Sequence, residues 1–440
     1  MVYSYKNGFL GYLEAQNSIA FSENEEDLRI IVMNSKHKIE QEGPHHVDTA
    51  SLYKFAGTIT LTFITTFECN MKCKYCYESS MVCNDDGVPG AFTCEMMLAT
   101  YIGFMNKFPN AKFRITFFGG EPFVQFETIR EFMISVEKYC SDNKKEKPTY
   151  GAITNGTLLC NDVCEMIVDH FQDLTISLDG VKTINDMYRI YKDGSGTFDS
   201  VHENILKLKR YNASNILSLT CEATLTSECF RAYSSEITKQ NYELFKHLFS
   251  TVGLIPEVSD SFCLADYPAK LEMLVNDYMD LWIDDILSNR TPANIIVFNN
   301  LIAGFTSNKM DFCECAAGHT YYSITPDLTV YPCQVSVFSD NCIMGQINAV
   351  DSSLSMDHAN ISTYTDMRHN KLCLDCEYRS ICSNYCKVSM KSATADKYPN
   401  MCLFSKVVMK VGILKLYELE QNGLIGQFIS SFVSTCKKVK

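Results

Sequence analysis

Residues 68–77 read ECNMKCKYCY and hold three cysteines, Cys69, Cys73 and Cys76. Three residues separate the first two cysteines, two separate the last two, and Tyr75 directly precedes the third. Iron–sulfur clusters are held by cysteine thiolates, and a cubic [4Fe–4S] cluster takes four of them in full. Three thiolates would therefore hold three irons and leave one iron open to another ligand. A catalytic cluster needs such an open iron, and a pure electron carrier does not.

Two other interpretations of these cysteines stay open at this point. They could bind zinc together with a distant fourth ligand, or they could be incidental, because a free cysteine often behaves as a small buried hydrophobe. The preceding segment 58–65, TITLTFIT, is rich in alternating β-branched and aromatic residues and predicts a β-strand. The cysteine loop then lies at the carboxyl end of a first strand, which is where α/β barrels carry their catalytic residues.

The pattern from residue 58 onward predicts an α/β fold, a partial (β/α)6 TIM-like barrel. Alternating strand and helix segments favour a parallel sheet with right-handed crossovers. Six units in about 200 residues suit a partial barrel, since eight units typically need about 250 residues. The predicted strands are 58–65, 112–118, 149–154, 173–178, 216–224 and 251–258. The predicted helices are 93–108, 126–141, 161–170, 198–211 and 234–249.

The composition is that of an ordinary globular protein except for cysteine. The 440 residues predict more than one domain, and 46% hydrophobic with 21% charged residues is usual for globular proteins. A net charge of −13 argues against a nucleic-acid partner, which needs a basic footprint. The 21 cysteines come without a visible signal peptide or an apolar run of membrane-spanning length. A cytoplasmic location without a membrane partner is expected, with cysteines used for metal.

Five segments are predicted along the chain. They are a cap segment over 1–57, a barrel over 58–266, a helical bridge over 267–310, a cysteine-rich domain over 311–404 and a helical tail over 405–440. Within the cap segment, residues 28–33 are predicted to form one strand.

A glycine pair and a carboxylate follow the second barrel strand. Gly119 and Gly120 precede Glu121. Paired glycines allow close backbone approach by a ligand, and a carboxylate accepts hydrogen bonds from an ammonium group. A tight turn alone would also explain the glycines, but their place after the next strand beyond the cysteine loop favours a ligand site.

Polar residues also end the third and fourth strands. Asn155 follows the third strand, where it could serve a ribose, a substrate or a simple turn. Ser177 ends the fourth, and Arg189 follows twelve residues later; arginine binds carboxylates through a bidentate fork. Asp179 is predicted to be a turn or capping residue rather than an acid or base.

The CxxxCxxC spacing with its aromatic residue resembles the signature of the radical S-adenosylmethionine (radical SAM) family, and the resemblance covers roughly residues 58–402. It implies a [4Fe–4S] cluster on the three loop cysteines, reductive cleavage of S-adenosylmethionine and a 5′-deoxyadenosyl radical that abstracts a hydrogen atom. It further implies that the glycine–glutamate element binds the methionyl amine. The implied cofactor-binding residues are Tyr75, Gly119, Gly120, Glu121, Asn155, Ser177 and Arg189.

A second group of cysteines resembles the SPASM domain of peptide-modifying radical SAM enzymes, which binds two auxiliary [4Fe–4S] clusters. A pair of structural zinc sites is the alternative that these spacings permit. The resemblance assigns the first auxiliary cluster to Cys315, Cys333 and Cys386, with Cys313, Cys342 or an open iron completing it. It assigns the second to Cys373, Cys376, Cys382 and Cys402. The remaining cysteines are predicted to be packing residues: Cys83, Cys94, Cys140, Cys160, Cys164, Cys221, Cys229, Cys263 and Cys436.

The resemblance predicts an oxidoreductase-type maturase of a ribosomally made precursor peptide, similar to sactipeptide and ranthipeptide enzymes that form a thioether from a peptide cysteine. A flavodoxin or ferredoxin would donate the electron. Other radical crosslinkers and anaerobic sulfatase-maturing enzymes are the alternatives. The latter carry an aspartate base where this chain has Gln334, directly after Tyr331-Pro332-Cys333. A non-enzymatic iron–sulfur or zinc protein is the alternative of a different class.

Overall fold

The structure, a computed structural model, divides into two compact units. The first comprises Met1–His45, Thr224–Cys315 and His369–Lys440, and the second comprises His46–Ala223 and Ala316–Arg368. The residues that the structure describes are 2–5, 8–13, 18–26, 28–29, 57–78, 90–214, 216–258, 262–306, 316–337, 340–357, 372, 376, 378, 381–382, 386 and 399–438.

The helices and strands alternate through the middle of the chain. The strands are β1 Val2–Tyr5, β2 Gly8–Leu13, β3 Ser18–Ser22, β4 Thr58–Thr66, β5 Lys112–Gly119, β6 Thr149–Thr154, β7 Phe171–Ser177, β8 Ser218–Leu225, β9 Thr251–Pro256, β10 Tyr321–Ile324, β11 Thr329–Tyr331, β12 Gly345–Asn348 and β13 Ser353–Met356. The helices are α1 Cys94–Lys107, α2 Phe126–Asp142, α3 Asn161–His170, α4 Lys182–Tyr188, α5 Phe198–Tyr211, α6 Ser227–Arg231, α7 Ser235–Leu248, α8 Pro268–Leu287, α9 Ile296–Thr306, α10 Asn400–Gln421 and α11 Ile425–Lys438.

The second unit is built on a sheet whose central strands are parallel. Strands β4 to β8 lie side by side in chain order, and each neighbouring pair is parallel. Strand β10 adds to the other side of β4, also in parallel, and β11, β12 and β13 continue antiparallel from there. The predicted α/β fold with a parallel sheet is confirmed. The carboxyl ends of β4 to β8 therefore meet at one edge of the sheet.

The core of this unit explains why β4 is a strand. Leu61 and Phe63 are fully buried, and the ring of Phe63 packs edge-on against Phe92 and Phe132. Burying one such side chain stabilises the fold by about 1.5–3 kcal/mol. Because strand side chains alternate between faces, Thr62 points to the opposite face. Ile59, Leu61 and Phe63 thus lie on the face that packs against the helices, and Thr58, Thr60 and Thr62 lie on the other face of the sheet.

The first unit contains a small antiparallel sheet, β1–β2–β3, and several long helices. The predicted strand over 28–33 is wrong where the structure describes it, since Leu28 and Arg29 are helical; residues 30–33 lie outside the described residues. The reason is local, because Asn24 Oδ1 accepts a hydrogen bond from the backbone N–H of Glu26 at 2.9 Å and so caps a helix there.

The helices of the first unit pack around one indole. Trp282 of α8 is only 2% exposed, and its ring lies edge-on to Phe298 of α9 and Phe428 of α11. Gly423, at φ +69°, separates α10 from α11. Among the described residues, no helix is long and apolar enough to cross a membrane.

Candidate functional site

The three cysteines of the loop form one group beyond the carboxyl end of β4. Burial raises the pKa of Cys69, while a hydrogen bond from the backbone N–H of Met71 to its Sγ, at 3.4 Å, opposes that rise. Burial raises the pKa of Cys73 to about 12, Arg189 opposes that rise, and the thiol of Cys76 adds to it. All three cysteines fall within eight residues of this one loop. Positive charge must then stabilise them as thiolates.

The segment that follows α4 anchors this loop. The backbone N–H of Lys72 donates to the carbonyl of Ile190 at 2.8 Å, and that of Lys74 donates to the carbonyl of Tyr188 at 3.0 Å. The ring of Tyr75 stacks on Tyr188 with 5.8 Å between the centroids. These contacts hold the loop in one conformation.

A buried ion pair joins the loop to the end of β7. Arg189 Nε donates to Asp179 Oδ1 at 3.0 Å, and the hydroxyl of Tyr75 donates to Asp179 Oδ2 at 2.8 Å. The Arg189 guanidinium lies 5.4 Å from the centroid of the Tyr75 ring. Asp179 and Arg189 are 3% and 7% exposed. The prediction that Asp179 is a turn or capping residue missed this role, although the sequence places a carboxylate close to a predicted functional arginine.

Glu121 is fully buried at the end of β5 and its carboxylate is held from three sides. Oε1 accepts hydrogen bonds from Thr154 Oγ1 at 2.7 Å and from the backbone N–H of Phe123 at 3.2 Å. Oε2 accepts from the backbone N–H of Asn155 at 2.8 Å. Burial raises the pKa of Glu121 to about 7, and these hydrogen bonds oppose that rise. A nearby cation would stabilise its charged form.

Asn155 links this carboxylate to the cysteine loop. Its backbone binds Glu121, and its side-chain Nδ2 donates to Asn70 Oδ1 at 2.9 Å while lying 3.7 Å from Cys69 Sγ. The Asn155 Oδ1 accepts from the backbone N–H of Thr157 at 2.9 Å. Asn155 thus forms the turn that was one of its predicted roles, and it also contacts the loop, which the sequence did not indicate.

Close contacts with the backbone of the same chain explain why positions 119 and 120 are glycines. A Cβ on Gly119, whose φ is +132°, would lie 2.2 Å from the carbonyl oxygen of Thr66. A Cβ on Gly120 would lie 2.3 Å from the carbonyl oxygen of Glu68. The backbone N–H of Gly120 donates to Thr66 at 2.9 Å. The glycines therefore let the ends of β4 and β5 touch, which places Glu121 beside the loop.

Gly120→Ala is expected to destabilise the protein by about 1–3 kcal/mol, since the added methyl group meets rigid backbone. The Cβ would lie 2.3 Å from the Glu68 carbonyl oxygen. Urea unfolding would measure this loss. Gly90→Ala is the matched control, because a Cβ there meets nothing within 4 Å. Equal unfolding midpoints for the two variants would contradict the packing argument.

Two further side chains line the sheet near its carboxyl edge. Ser177 ends β7 and is paired in register with Glu222 of β8. The Glu222 carboxylate makes no hydrogen bond within the described part of the chain; burial raises its pKa, and the Arg189 charge opposes this rise. The sequence did not single out Glu222, although it is a charged residue within a predicted strand.

A hydrogen-bonded row crosses from β4 to the turn after β11. The hydroxyl of Tyr321 accepts from Thr62 Oγ1 at 2.7 Å and donates to Gln334 Oε1 at 2.8 Å. Burial raises the pKa of Tyr321, and the neighbouring thiol of Cys333 contributes. The structure thus places Cys333 in the same unit as the cysteine loop, beside this row.

The structure describes only part of the second cysteine group. Cys376, Cys382, Cys386 and Cys402 belong to the first unit, each partly exposed. Cys313, Cys315 and Cys373 lie outside the described residues. Cys342, a considered ligand, is buried.

The cysteines predicted to be packing residues are mostly buried. Cys140, Cys164, Cys221 and Cys229 are buried, Cys94 and Cys263 are partly so, and Cys160 is exposed, so the prediction is wrong for Cys160. Cys160 directly precedes α3, where the chain turns at the surface. Cys83 and the side chain of Cys436 lie outside the described residues.

Comparison with known proteins agrees with this geometry. The family model described as Radical SAM superfamily matches residues 63–221. A cysteine-type anaerobic sulfatase-maturating enzyme of Clostridium novyi (strain NT) is 27% identical over 331 residues, 72% of this chain and 85% of the relative. The radical SAM cyclopropyl synthase TigE of Paramaledivibacter caminithermalis is 23% identical over 410 residues, 89% of this chain and 81% of the relative.

The solved structures show the same fold. The structure of native anSMEcpe with bound AdoMet has a TM-score of 0.64 and 20% identity, and it covers 83% of this chain and 99% of that one. Another structure of anSMEcpe holds AdoMet and the Cp18Cys peptide, with a TM-score of 0.62 and 19% identity over 83% of this chain and 99% of that one. With the three-cysteine loop at the edge of a parallel sheet and the family match over the same residues, the chain is an enzyme that carries a radical SAM domain.

Proposed function

We propose that this enzyme reductively cleaves S-adenosylmethionine and uses the resulting radical to modify a ribosomally made peptide, forming a thioether from a peptide cysteine. One observation carries the proposal: the cysteine loop, the buried Glu121 and the Asp179–Arg189 pair meet at the carboxyl edge of one parallel sheet. That edge is where barrels of this kind carry their chemistry.

The loop residues fit a [4Fe–4S] cluster, which the radical SAM family implies together with S-adenosylmethionine. The backbone N–H of Met71 already points at Cys69 Sγ, and hydrogen bonds to sulfur help to set cluster potentials. In the described part of the chain, no three His, Cys, Asp or Glu side chains converge as ligands of one metal ion. A cubane takes each thiolate on a different iron, so its ligands surround the cluster at wider spacing than the ligands of a single ion.

The buried side chains around the loop suit the ends of the cofactor. Glu121 presents a carboxylate to which an ammonium group would bind with a charge-assisted hydrogen bond. Arg189 uses Nε for Asp179, and its other guanidinium nitrogens can bind a carboxylate. Ser177, Asn155 and the ring of Tyr75 complete the predicted contacts. When bound, the cluster supplies a low-potential electron and S-adenosylmethionine supplies the 5′-deoxyadenosyl radical.

Two auxiliary [4Fe–4S] clusters are part of the proposal. Cys382 supports this assignment, because its surroundings are apolar and a hydrophobic shell controls the potential and solvent access of a metal site. The pocket beside it is lined by Val297, Leu301, Ile381, Ser405, Val408 and Met409. The ligand sets remain those given by the resemblance, and a flavodoxin or ferredoxin remains the proposed electron donor.

A sulfatase-maturase function is the second candidate, favoured by the relatives that carry this name. The residue at position 334 argues against a sulfatase-maturase function. Gln334 takes the place of the aspartate base, and an amide does not accept a proton from a substrate thiol. Its Oε1 is already engaged by the Tyr321 hydroxyl at 2.8 Å. Carbon–carbon and carbon–oxygen crosslinking remain alternatives within the peptide-modifying class, which also accommodates the similarity to TigE.

The test uses the anaerobically reconstituted enzyme with dithionite, S-adenosylmethionine and one of two peptides. The first is a synthetic cysteine-containing peptide, with its sequence taken from any small open reading frame that genome sequencing finds beside the gene, and the second is the Cp18Cys peptide. Loss of two hydrogen atoms together with a thiol that no longer reacts with iodoacetamide is expected for the first peptide. Formylglycine in the second peptide would favour the maturase function instead. Absence of 5′-deoxyadenosine from every mixture would overturn the proposal.

A further inference from the structure

Asp179 and Arg189 form a buried ion pair, and burial makes such a pair costly in desolvation free energy. Both side chains are more than nine-tenths buried, and Nε and Oδ1 lie 3.0 Å apart. Burying two charges costs several kcal/mol per ion unless good geometry and further hydrogen bonds compensate. A core position could hold apolar side chains instead. The pair therefore calls for a reason connected with what lies beside it.

The neighbour of the pair is the cysteine loop. The Arg189 guanidinium lies 5.4 Å from the centre of the Tyr75 ring, and its charge reaches the Cys73 thiol, where it opposes the effect of burial. The residues on either side of Arg189 form backbone hydrogen bonds with the loop. The carbonyl of Tyr188 accepts from the backbone N–H of Lys74 at 3.0 Å, so the backbone beside Arg189 is joined to the loop.

Asp179 fixes both partners at once. One carboxylate oxygen accepts from Arg189, and the other accepts from the Tyr75 hydroxyl at 2.8 Å. Its own backbone N–H donates to Asn185 Oδ1 at 3.3 Å, within the same unit. Thr197 Oγ1 donates to the Arg189 carbonyl at 2.9 Å, which holds the arginine backbone as well. Both charges are thus held rigidly at a set distance from the loop.

We propose that Asp179 is a positioning residue that fixes Arg189 beside the cysteine loop and offsets its charge, so that this buried pair tunes the reduction potential of the loop's cluster. Net charge and hydrogen bonding around a cluster set its potential. A fixed positive charge favours the reduced, more negative cluster, and a fixed negative charge favours the oxidised one. Together the two charges largely cancel. The arginine charge alone would raise the potential, and the aspartate charge alone would lower it. Glu222 is another carboxyl near the pair, since both charges act on its pKa, and Glu121 lies on the other side of the loop, near Cys69.

The inference rests on the proposed function, because it requires a cluster on the three loop cysteines. The experiment is an anaerobic redox titration of the full-length reconstituted protein, followed by EPR. The signal of the loop's cluster is the one that is absent from Cys69→Ala/Cys73→Ala/Cys76→Ala. The variants are Asp179→Asn, Arg189→Gln and the double variant, with Arg189→Lys as the charge-conserving comparison.

Asp179→Asn is expected to raise the potential, because it leaves the arginine charge without compensation. Arg189→Gln is expected to lower it, and the double variant is expected to return close to the wild-type value. Arg189→Lys should remain nearer to the wild type than Arg189→Gln. A merely structural role would not give opposite shifts that cancel. If Asp179→Asn fails to assemble the cluster, the downward shift of Arg189→Gln still decides the question.

Three outcomes would overturn the inference: unchanged potentials in all variants, shifts of the same sign in both single variants, or a double variant further from wild type than either. Each of these presupposes a wild-type protein with a titratable loop cluster. If the wild type shows no such signal and makes no 5′-deoxyadenosine, the proposed function itself has failed. The two failures can therefore be told apart.

Discussion

Replacing Cys69, Cys73 and Cys76 together by alanine is expected to abolish 5′-deoxyadenosine formation. The three cysteines follow β4 within eight residues of one loop, and burial raises the pKa of Cys69 and Cys73. Without these three thiols, the proposed cluster has no cysteine ligands in the loop. Under the three-cluster proposal, the iron content falls from roughly twelve to about eight per chain. Iron counting and chromatography of the reaction products measure both changes in one preparation.

A matched control removes three other thiols. Cys94→Ala/Cys160→Ala/Cys263→Ala changes the same number of cysteines, none of them buried and none in the proposed sets. This control should keep its iron and its activity. A wild-type content of about four irons with intact cofactor cleavage would keep the loop assignment and remove the auxiliary clusters. Cofactor cleavage that survives in the loop variant would contradict the assignment of the site.

The sequence predicted the strands and helices that carry the site, because each of them depends on a local pattern of residues. Alternation of apolar and polar residues marks each strand, and the polar residues that follow the strands mark their carboxyl ends. Strand 149–154 and helix 161–170 were predicted with the bounds that the structure shows. Strands β1 to β3 were missed, since β1 and β3 have only four and five residues and β2 contains two glycines. Such segments carry little periodic signal.

The contacts between side chains within the site could not be predicted, because they depend on which strand ends meet. The spacing from Asp179 to Arg189 does not show that the intervening helix turns the arginine back onto the carboxylate. The sequence also shows Glu222 only as a charged residue in a strand. Its place opposite Ser177 follows from the register of β7 and β8. The glycine pair was predicted to admit a ligand, which stays a prediction; the close approach that the structure shows is that of the backbone of residues 66–68.

Glu121→Gln is expected to weaken S-adenosylmethionine binding about 10- to 100-fold, because a hydrogen bond to a charged group is worth about 1.5–3 kcal/mol. Glutamine keeps the size of the side chain but removes the charge that would pair with the methionyl ammonium group. Thr154→Val provides a graded comparison. It removes the 2.7 Å hydrogen bond to Glu121 Oε1 and keeps the carboxyl group itself, so a smaller loss of about 2- to 10-fold is expected. Equilibrium binding to the reconstituted protein measures all three affinities.

Asp173→Asn is the matched control for the loss of carboxylate charge in Glu121→Gln. Asp173 pairs with Arg114 near the start of β7, at the end of the sheet opposite the site, and it is also partly buried. Its neutralisation should leave the Kd for S-adenosylmethionine unchanged. Iron content and the urea unfolding midpoint must be measured alongside, because an amide at position 121 places an N–H where Oε1 or Oε2 now accepts hydrogen bonds. If Glu121→Gln kept its iron and bound the cofactor as tightly as Asp173→Asn, the buried carboxylate would serve only to join the strand ends, and the amine site would have to lie elsewhere.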